Sequence, residues 1–260
     1  MSAALTLWQK HMRKSLVHQE EIIGLLIQPI LWVVLFGVGM KSMLGSVTPG
    51  GGELYITFMV PGIVALSALG GAIAGGSTWL NERLQGVVKE YLVAPIPRLS
   101  ILMGNALSVV TKSLFQAIVI FIVGVLMGAQ VSSNPLGWLG GLLLVAGYGL
   151  GFAGVALAIA SKTDSPGAYH SMIFLLNLPL LFLSNALYPL SSLPKWMQVG
   201  ALVNPTTYVV SGLRQTALGY GAGAAAGEVL PLWLCFLVIA AFVALGMWFA
   251  YAAFKSSVRG

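Results

Sequence analysis

After the N-terminal stretch, charged side chains are densest in one short segment, residues 81–98, between two long apolar runs. Its charged residues are Glu82, Arg83, Lys89, Glu90 and Arg98. Residues 87–94 favour a short helix with an apolar side, which Pro95 and Pro97 would end. A short helix with an apolar side, outside the membrane, needs a surface to dock against. The segment therefore predicts a binding surface for a partner, with packing of the loop on its own lipid as the alternative.

Polar residues inside the apolar runs offer a second kind of chemistry, because burying them in a membrane is costly. Lys112 lies within the third run, where it would extend to the cytoplasmic headgroups or, alternatively, contact an anionic substrate. His170 near the start of the fifth run is interpreted as a hydrogen-bonding residue at a loop end. Asn177 and Ser184 are seven residues apart, so one helical face would carry both, as a polar path or as hydrogen bonds between helices.

The sequence lacks the motifs that catalysis or nucleotide binding would need. It contains no His-Glu-x-x-His pattern and no paired intramembrane carboxylates, which disfavours an intramembrane enzyme and a metal site. Internal repeats are also missing, which disfavours an ion-coupled secondary transporter. Gly149-x-Gly151-x-x-Gly154 resembles a dinucleotide fingerprint, but no strand precedes it. Gly147, Gly151 and Gly154, at spacings of four and three, instead predict a small face for close helix packing. Because no Walker A pattern occurs, the chain itself is not expected to bind ATP.

Composition sets the class of protein in which these residues must be positioned. The chain has 260 residues, of which 58% are apolar and 8% charged, and its mean hydropathy is +0.91. A soluble surface needs far more charge, so a soluble enzyme, a coiled coil and a disordered chain are excluded. The net charge of +6 does not predict nucleic-acid binding, because basic residues are normal in the cytoplasmic loops of membrane proteins. The expected surroundings are a lipid bilayer.

Six apolar stretches are long enough to cross about 30 Å of hydrocarbon as helices. The sequence predicts them at residues 22–44, 54–78, 101–128, 136–160, 168–190 and 229–254. The chain is thus predicted to be an all-α integral membrane protein with six transmembrane helices. With the N-terminus inside, nine Lys and Arg residues fall in cytoplasmic loops and three, Lys41, Lys195 and Arg214, fall outside. This bias predicts that both termini are cytoplasmic.

Two further segments complete the predicted layout. Residues 1–21 read as an amphipathic helix in the cytoplasmic interface, with Leu5, Trp8, Met12 and Leu16 at spacings of three and four. Residues 188–218 are too polar for a span, and prolines divide them into short pieces. Half-helices that re-enter the outer face of the membrane, covered by protein, satisfy this pattern. Helices lying on the outer surface are the alternative.

The loop and the outer segment together resemble a known family. Glu82-x-x-x-Gly86 followed by Glu90-x-Leu92-x-x-Pro95-x-x-Arg98 is similar to the first cytoplasmic loop of ABC-2 type transporter permeases. Tyr188-Pro189 and then Asn204-Pro205-x-x-Tyr208, ending at Arg214, is similar to the family's extracellular segment. Many members have a small hydroxyl residue after the loop glycine, where this chain has Val87. The resemblance covers nearly the whole chain, so residues 1–260 are expected to be a single ABC-2 type transmembrane domain.

The resemblance implies a function that the residues alone do not reach. It implies a permease subunit of an ATP-driven exporter in the inner (cytoplasmic) membrane, paired with a second copy or a paralogous permease. A separate ABC ATPase subunit would hold ATP and Mg, with no cofactor on this chain. The cargo would be a lipophilic drug-like or lipid-linked molecule, or alternatively a polysaccharide of the O-antigen or teichoic acid type.

The resemblance also implies three sets of site residues. ATPase coupling is expected of Glu82, Arg83, Gly86, Lys89, Glu90, Leu92, Pro95 and Arg98. The substrate path is expected at Trp32, Phe36, Met59, Phe174 and Asn177, because spans one, two and five line the route in the family. The extracellular gate is expected at Tyr188, Pro189, Asn204, Pro205, Tyr208 and Arg214.

Overall fold

The computed structural model describes residues 3–45, 51–94, 96–218 and 230–257. Within these ranges the regular secondary structure is entirely helical. The helices are α1 (Ala3–Val17), α2 (Gln19–Gly45), α3 (Gly51–Leu84), α4 (Val87–Val93), α5 (Arg98–Leu126), α6 (Pro135–Lys162), α7 (Pro166–Phe182), a 3-10 turn (Leu190–Ser192), α8 (Lys195–Val203), α9 (Pro205–Ala217) and α10 (Leu232–Ser257). The predicted all-α class is confirmed.

Five of these helices are long and apolar enough to cross a membrane, namely α2, α3, α5, α6 and α10. They coincide with five of the six predicted spans. The remaining predicted span, residues 168–190, corresponds to α7, which is apolar but has only 17 residues. At 1.5 Å per residue it would measure about 25 Å, less than the hydrocarbon thickness. A count of six spans therefore stays a prediction, as do the sidedness and the outer re-entrant segment.

The predicted end of the fifth span was wrong by eight residues, because α7 stops at Phe182. The side-chain amide of Asn204 donates to the carbonyl oxygen of Leu180 at 2.9 Å and also to that of Leu183. These bonds satisfy carbonyl groups that a longer helix would have used, so the chain can turn there. Ser184 lies beyond the helix, and the face that it was predicted to share with Asn177 does not form.

Glycines let the central helix α6 approach its neighbours closely. It packs against α3, α5, α9 and α10. A side-chain carbon added at Gly154 would meet the backbone of Gly246 in α10, and one at Gly147 would lie 2.7 Å from Ile239 of that helix. The prediction that Gly147, Gly151 and Gly154 form a packing face is confirmed, and the partner is α10.

Helix α9 is buried along nearly its whole length, from Thr206 to Ala217, although it is rich in polar residues. Asn204 caps its first turn, accepting a hydrogen bond from the backbone nitrogen of Thr206 at 2.9 Å, and Pro205 takes the first helical position. The Thr206 hydroxyl lies 2.8 Å from that of Tyr148 in α6. Side chains of the bundle thus provide hydrogen bonds that water would otherwise supply.

Candidate functional site

The predicted coupling segment is anchored by a buried carboxylate. Glu82, in the last turn of α3, is 5% exposed, and its Oε1 atom lies 2.8 Å from the ammonium of Lys10 in α1. The Lys10 ammonium also donates to the hydroxyl of Tyr91 in α4 and lies 4.9 Å from the centre of that ring. These three side chains, which we call the Glu82 node, join α1, α3 and α4.

The node keeps Lys10 in its charged form. Burial alone would lower the pKa of Lys10, but the hydrogen bonds to Glu82 and Tyr91 outweigh it and raise the pKa above its ordinary value. The Lys10 side chain is still 43% exposed, so water weakens the attraction. Oε2 of Glu82 is buried and has no hydrogen-bond partner among the described residues. The Lys10 ammonium, which contacts Oε1, is therefore the main group that offsets the negative charge of this carboxylate.

The turn between α3 and α4 requires a glycine and ties the segment to α6. Gly86 has φ of 83°, in the left-handed region where other residues are strained. Just before it, the Arg83 guanidinium donates to the carbonyl oxygens of Ser161 and Thr163 and lies 3.3 Å from Asp164. A cation at the C-terminal end of α6 also suits the helix dipole. The end of α3 is therefore fixed to the end of α6.

The exposed side of α4 is its charged side. Val88 is buried against the residues around Trp79 and Leu102, whereas Lys89, Glu90 and Val93 are exposed. The apolar side of this helix packs on the chain itself, so a partner would meet the charged side instead. Of the other predicted coupling residues, Leu92 and Arg98 lie in α4 and α5 with side chains outside the described part, and Pro95 lies outside it altogether.

A cleft of about 300 Å³ lies between α2, α3 and α7. Trp32 of α2 and Asn177 of α7 both line it. Asn177 also borders a neighbouring hollow of about 430 Å³, together with Phe174 and the exposed His170. Phe36 stacks on Trp32, with ring centres 5.2 Å apart. Four of the five predicted path residues thus gather at one side of the bundle.

Met59 is the exception, because it is fully buried in the core and does not line the cleft. The cleft has further polar lining residues that the sequence analysis missed, which are Gln28, Ser67 and Gln116. Gln116 follows Lys112 by four residues, and a polar residue repeating at that spacing in an apolar run was the available signal. Lys10 was missed as well, since one charge in a basic N-terminal stretch gives no hint of a partner in α3.

Lys112 has a different partner from the predicted one. Its ammonium lies 2.6 Å from Oε1 of Glu21, at the start of α2, and does not end among lipid headgroups. The Ser15 hydroxyl donates to the other oxygen of Glu21 at 3.1 Å. The pair neutralises a charge inside the bundle and joins α2 to α5.

The predicted gate residues form the connections between α7, α8 and α9. Tyr188 donates to the carbonyl oxygen of Phe182, and Pro189 precedes the 3-10 turn, whose Ser192 hydroxyl donates to the Pro189 carbonyl at 2.7 Å. The Tyr208 hydroxyl donates to the carbonyl oxygen of Leu202 at 2.6 Å. With the Asn204 contacts already described, these bonds fold residues 183–208 back onto the end of α7.

Arg214 is a buried residue of α9 and not an exposed loop residue, while its position toward the outer side stays a prediction. It is 1% exposed, and its guanidinium donates to the carbonyl oxygens of Phe58, at 3.1 and 3.3 Å, and of Asn185, at 2.8 Å. The guanidinium carbon also lies 3.8 Å from the centre of the Phe58 ring. Arg214 therefore fastens α9 both to α3 and to the segment that follows α7.

Metal chemistry has no support in the described ranges, where no cluster of His, Cys, Asp or Glu could hold an ion. Cys235 is a buried thiol. The described residues instead combine a charged surface element, fixed to the bundle, with a cleft between apolar helices.

Comparison with known proteins agrees with this arrangement. The ycf38 protein of Cyanophora paradoxa is 31% identical over 197 residues, which cover 74% of this chain and 66% of that protein, a little under two thirds of its length. The inner membrane transport permease YadH of Escherichia coli K12 is 27% identical, covering 84% of this chain and 83% of YadH.

A third relative carries a more specific name. The daunorubicin resistance ABC transporter permease protein DrrB1 of Streptomyces coeruleorubidus is 22% identical, covering 84% of this chain and 76% of DrrB1. The family model for ABC-2 type transporters matches residues 2–218, which include α4, the cleft and the buried helix α9. The chain therefore belongs to the ABC-2 type transporter family.

Proposed function

We propose that this chain is the membrane subunit of an ATP-driven exporter in the cytoplasmic membrane. A separate ABC ATPase subunit, which holds ATP and Mg, would bind the exposed side of α4 at Lys89, Glu90 and Val93. Two permease subunits, identical or paralogous, would form the path. The proposal rests on family membership and on the position of this exposed charged surface.

The observation that carries the proposal is the contrast between the two sides of α4. Its outer side is exposed and charged, while its inner side is held to α1 and α3 by the Glu82 node. A push on the outer side would therefore be transmitted to the end of α3, a helix that also lines the cleft. In this account Glu82 and Arg83 transmit force rather than contact the ATPase.

The cleft is proposed as part of the cargo path and the connections around α9 as its outer gate. Trp32, Phe36, Phe174 and Asn177 give this path an aromatic and mostly apolar character, which favours lipophilic drug-like or lipid-linked cargo. A mostly apolar surface offers few hydrogen-bonding partners to a long polysaccharide. Polysaccharide is therefore the second candidate for the cargo. The name of DrrB1 supports the first candidate by analogy alone.

Reversing the charge of Glu90 tests the docking surface. We expect the tagged wild-type chain, purified from its host in mild detergent, to carry an ATPase subunit with a Walker A loop, two copies of each by intact mass. Glu90→Lys should reduce ATPase recovery by about fivefold or more, the factor for loss of one exposed ion pair of about 1 kcal/mol.

The matched control is Glu20→Lys, the same reversal at an exposed acid away from α4. It should leave ATPase recovery unchanged. A wild-type complex without any ATPase would overturn the exporter proposal. Equal losses in both variants would overturn the docking assignment while leaving the exporter proposal in place.

A further inference from the structure

The cleft between α2, α3 and α7 has hydrogen-bonding groups that the protein does not use. Three side-chain amides line it, those of Gln28, Gln116 and Asn177. In the part of the chain that the structure describes, the amides of Gln28 and Asn177 have no hydrogen-bond partner, and the buried Oε1 of Gln116 has none either. Unsatisfied polar groups are costly at membrane depth, so their gathering in one cleft needs an explanation.

Contacts between helices account for one of these groups, the amide nitrogen of Gln116. Pro29 lacks a backbone N–H, so the carbonyl oxygen of Leu25 loses its usual partner within α2. The Gln116 amide nitrogen donates to that oxygen at 2.8 Å. This bond accounts for the presence of Gln116 in the third apolar run. It leaves Asn177 and Gln28 without a structural role.

The cleft is also free of charge among its described lining residues. The nearest charges are those of Lys112 and Glu21, which neutralise each other. These two residues line other cavities and not this cleft. An ion that entered the cleft would lose its hydration and meet no opposite charge. A carboxamide offers a donor and an acceptor together, which suits hydroxyl, amide and carbonyl groups.

From these observations we infer that the cleft binds an uncharged amphiphile, whose hydrogen-bonding group meets Asn177 and Gln28 and whose apolar part lies along Trp32. The inference names the cargo class of the exporter and so rests on the proposed function. It makes Asn177 a specificity-determining residue. A volume of about 300 Å³ admits a small head or ring system, and the adjoining hollow beyond Asn177 gives room for the rest.

Two dyes with the same ring system test the inference. Phenylnaphthylamine is uncharged and has one N–H donor, whereas anilinonaphthalene sulfonate adds a negative charge. Binding of each dye to the chain in lipid nanodiscs is measured by energy transfer from tryptophan, with protein-free nanodiscs as the baseline. We expect the wild-type chain to bind the uncharged dye about tenfold more tightly or better, since one uncompensated charge costs at least that much.

Asn177→Leu should weaken binding of the uncharged dye by about fivefold to tenfold, the factor for one hydrogen bond. Gln28 is exposed, so Gln28→Leu provides a second variant that leaves packing intact and should weaken binding in the same way. The control is Leu175→Ala, a substitution on the exposed surface of α7 outside the cleft lining, which should change nothing.

Equal or tighter binding of the sulfonate would overturn the inference. So would unchanged binding of the uncharged dye in both Asn177→Leu and Gln28→Leu. The measurement needs no ATPase, so its failure is distinguishable from failure of the exporter proposal, which the copurification experiment decides separately. A chain that assembles with an ATPase but prefers the sulfonate would remain an exporter with a different cargo class.

Discussion

Glu82 is an acid that the fold holds in its interior, and its partners explain how a charge is tolerated there. Removing one member of a buried pair leaves the other uncompensated, which costs more than the pair itself contributes. Lys10 supplies the compensation from α1, a helix that is distant in sequence. Loss of the Lys10 ammonium should therefore weaken the packing of α1 on α3 and α4 more than the loss of an exposed, unpaired charge would.

Replacing Lys10 by Met tests this consequence of the Glu82 node. We expect Lys10→Met to destabilise the packing of α1 by about 1–2 kcal/mol, because the exposed end of Lys10 limits the effect. Faster hydrogen exchange or proteolysis within Ala3–Val17 would report it. Lys14→Met is the matched control, since Lys14 is an exposed lysine one turn away. Equal exchange in the two variants would contradict the role given to the node.

Single residues also mark where sequence reasoning reached its limit. The position of Gly86 could be predicted, because a break between two helices favours a glycine. The partners of Lys112 and Arg214 could not, since they lie in α2, in α3 and beyond α7. Pairwise contacts between distant segments depend on packing, which a single sequence does not reveal. The burial of Arg214 is the clearest case, because a basic residue in a short polar segment resembles a loop residue.

At the scale of elements, apolar length predicted the long helices and most of their ends, but it failed at the end of α7. The starts and ends of α5 and α6 lie within a few residues of the predicted limits. Helix α7 ends early because Asn204, about twenty residues later, takes up its carbonyl groups. The burial of α9 was also beyond the sequence, because the partners of Thr206, Ser211 and Arg214 lie in α6, in the segment after α7 and in α3.

Two Asn-Pro pairs allow the double role of Asn204 to be tested. Asn134 caps α6 before Pro135, and Asn204 caps α9 before Pro205, but Asn204 alone also binds α7. Asn134→Ala should cost about 1 kcal/mol, the value of an N-cap. Asn204→Ala should cost about 2–4 kcal/mol, because a cap and the bonds to α7 are lost together.

Asn204→Ser separates these two contributions, since an uncharged hydroxyl can retain the cap but lacks the amide donors. Its cost should lie between those of Asn134→Ala and Asn204→Ala when thermal unfolding is followed in detergent. If Asn204→Ala were no more destabilising than Asn134→Ala, the bonds to α7 would not be what ends that helix.

At the scale of the whole molecule, the sidedness of the bundle decides whether α4 can meet an ATPase. Arg83, Lys89 and Lys162 belong to segments that are predicted to be cytoplasmic. They lie near the C-terminal ends of α3 and α6, which Arg83 joins directly. The predicted orientation rests on the excess of Lys and Arg residues in the segments assigned to the cytoplasm. This orientation places the turn between α5 and α6 on the opposite side.

Cysteine labelling tests the orientation, with the buried Cys235 replaced by Ala as background. In intact cells, a membrane-impermeant maleimide should label Ser133→Cys, in the turn before α6, and should label Gly167→Cys only after permeabilisation. Both positions are exposed, and a side chain at Gly167 meets open space, so neither substitution should disturb packing. The reverse pattern would place α4 outside the cell, away from any source of ATP, and would leave the charged side of that helix without the partner proposed for it.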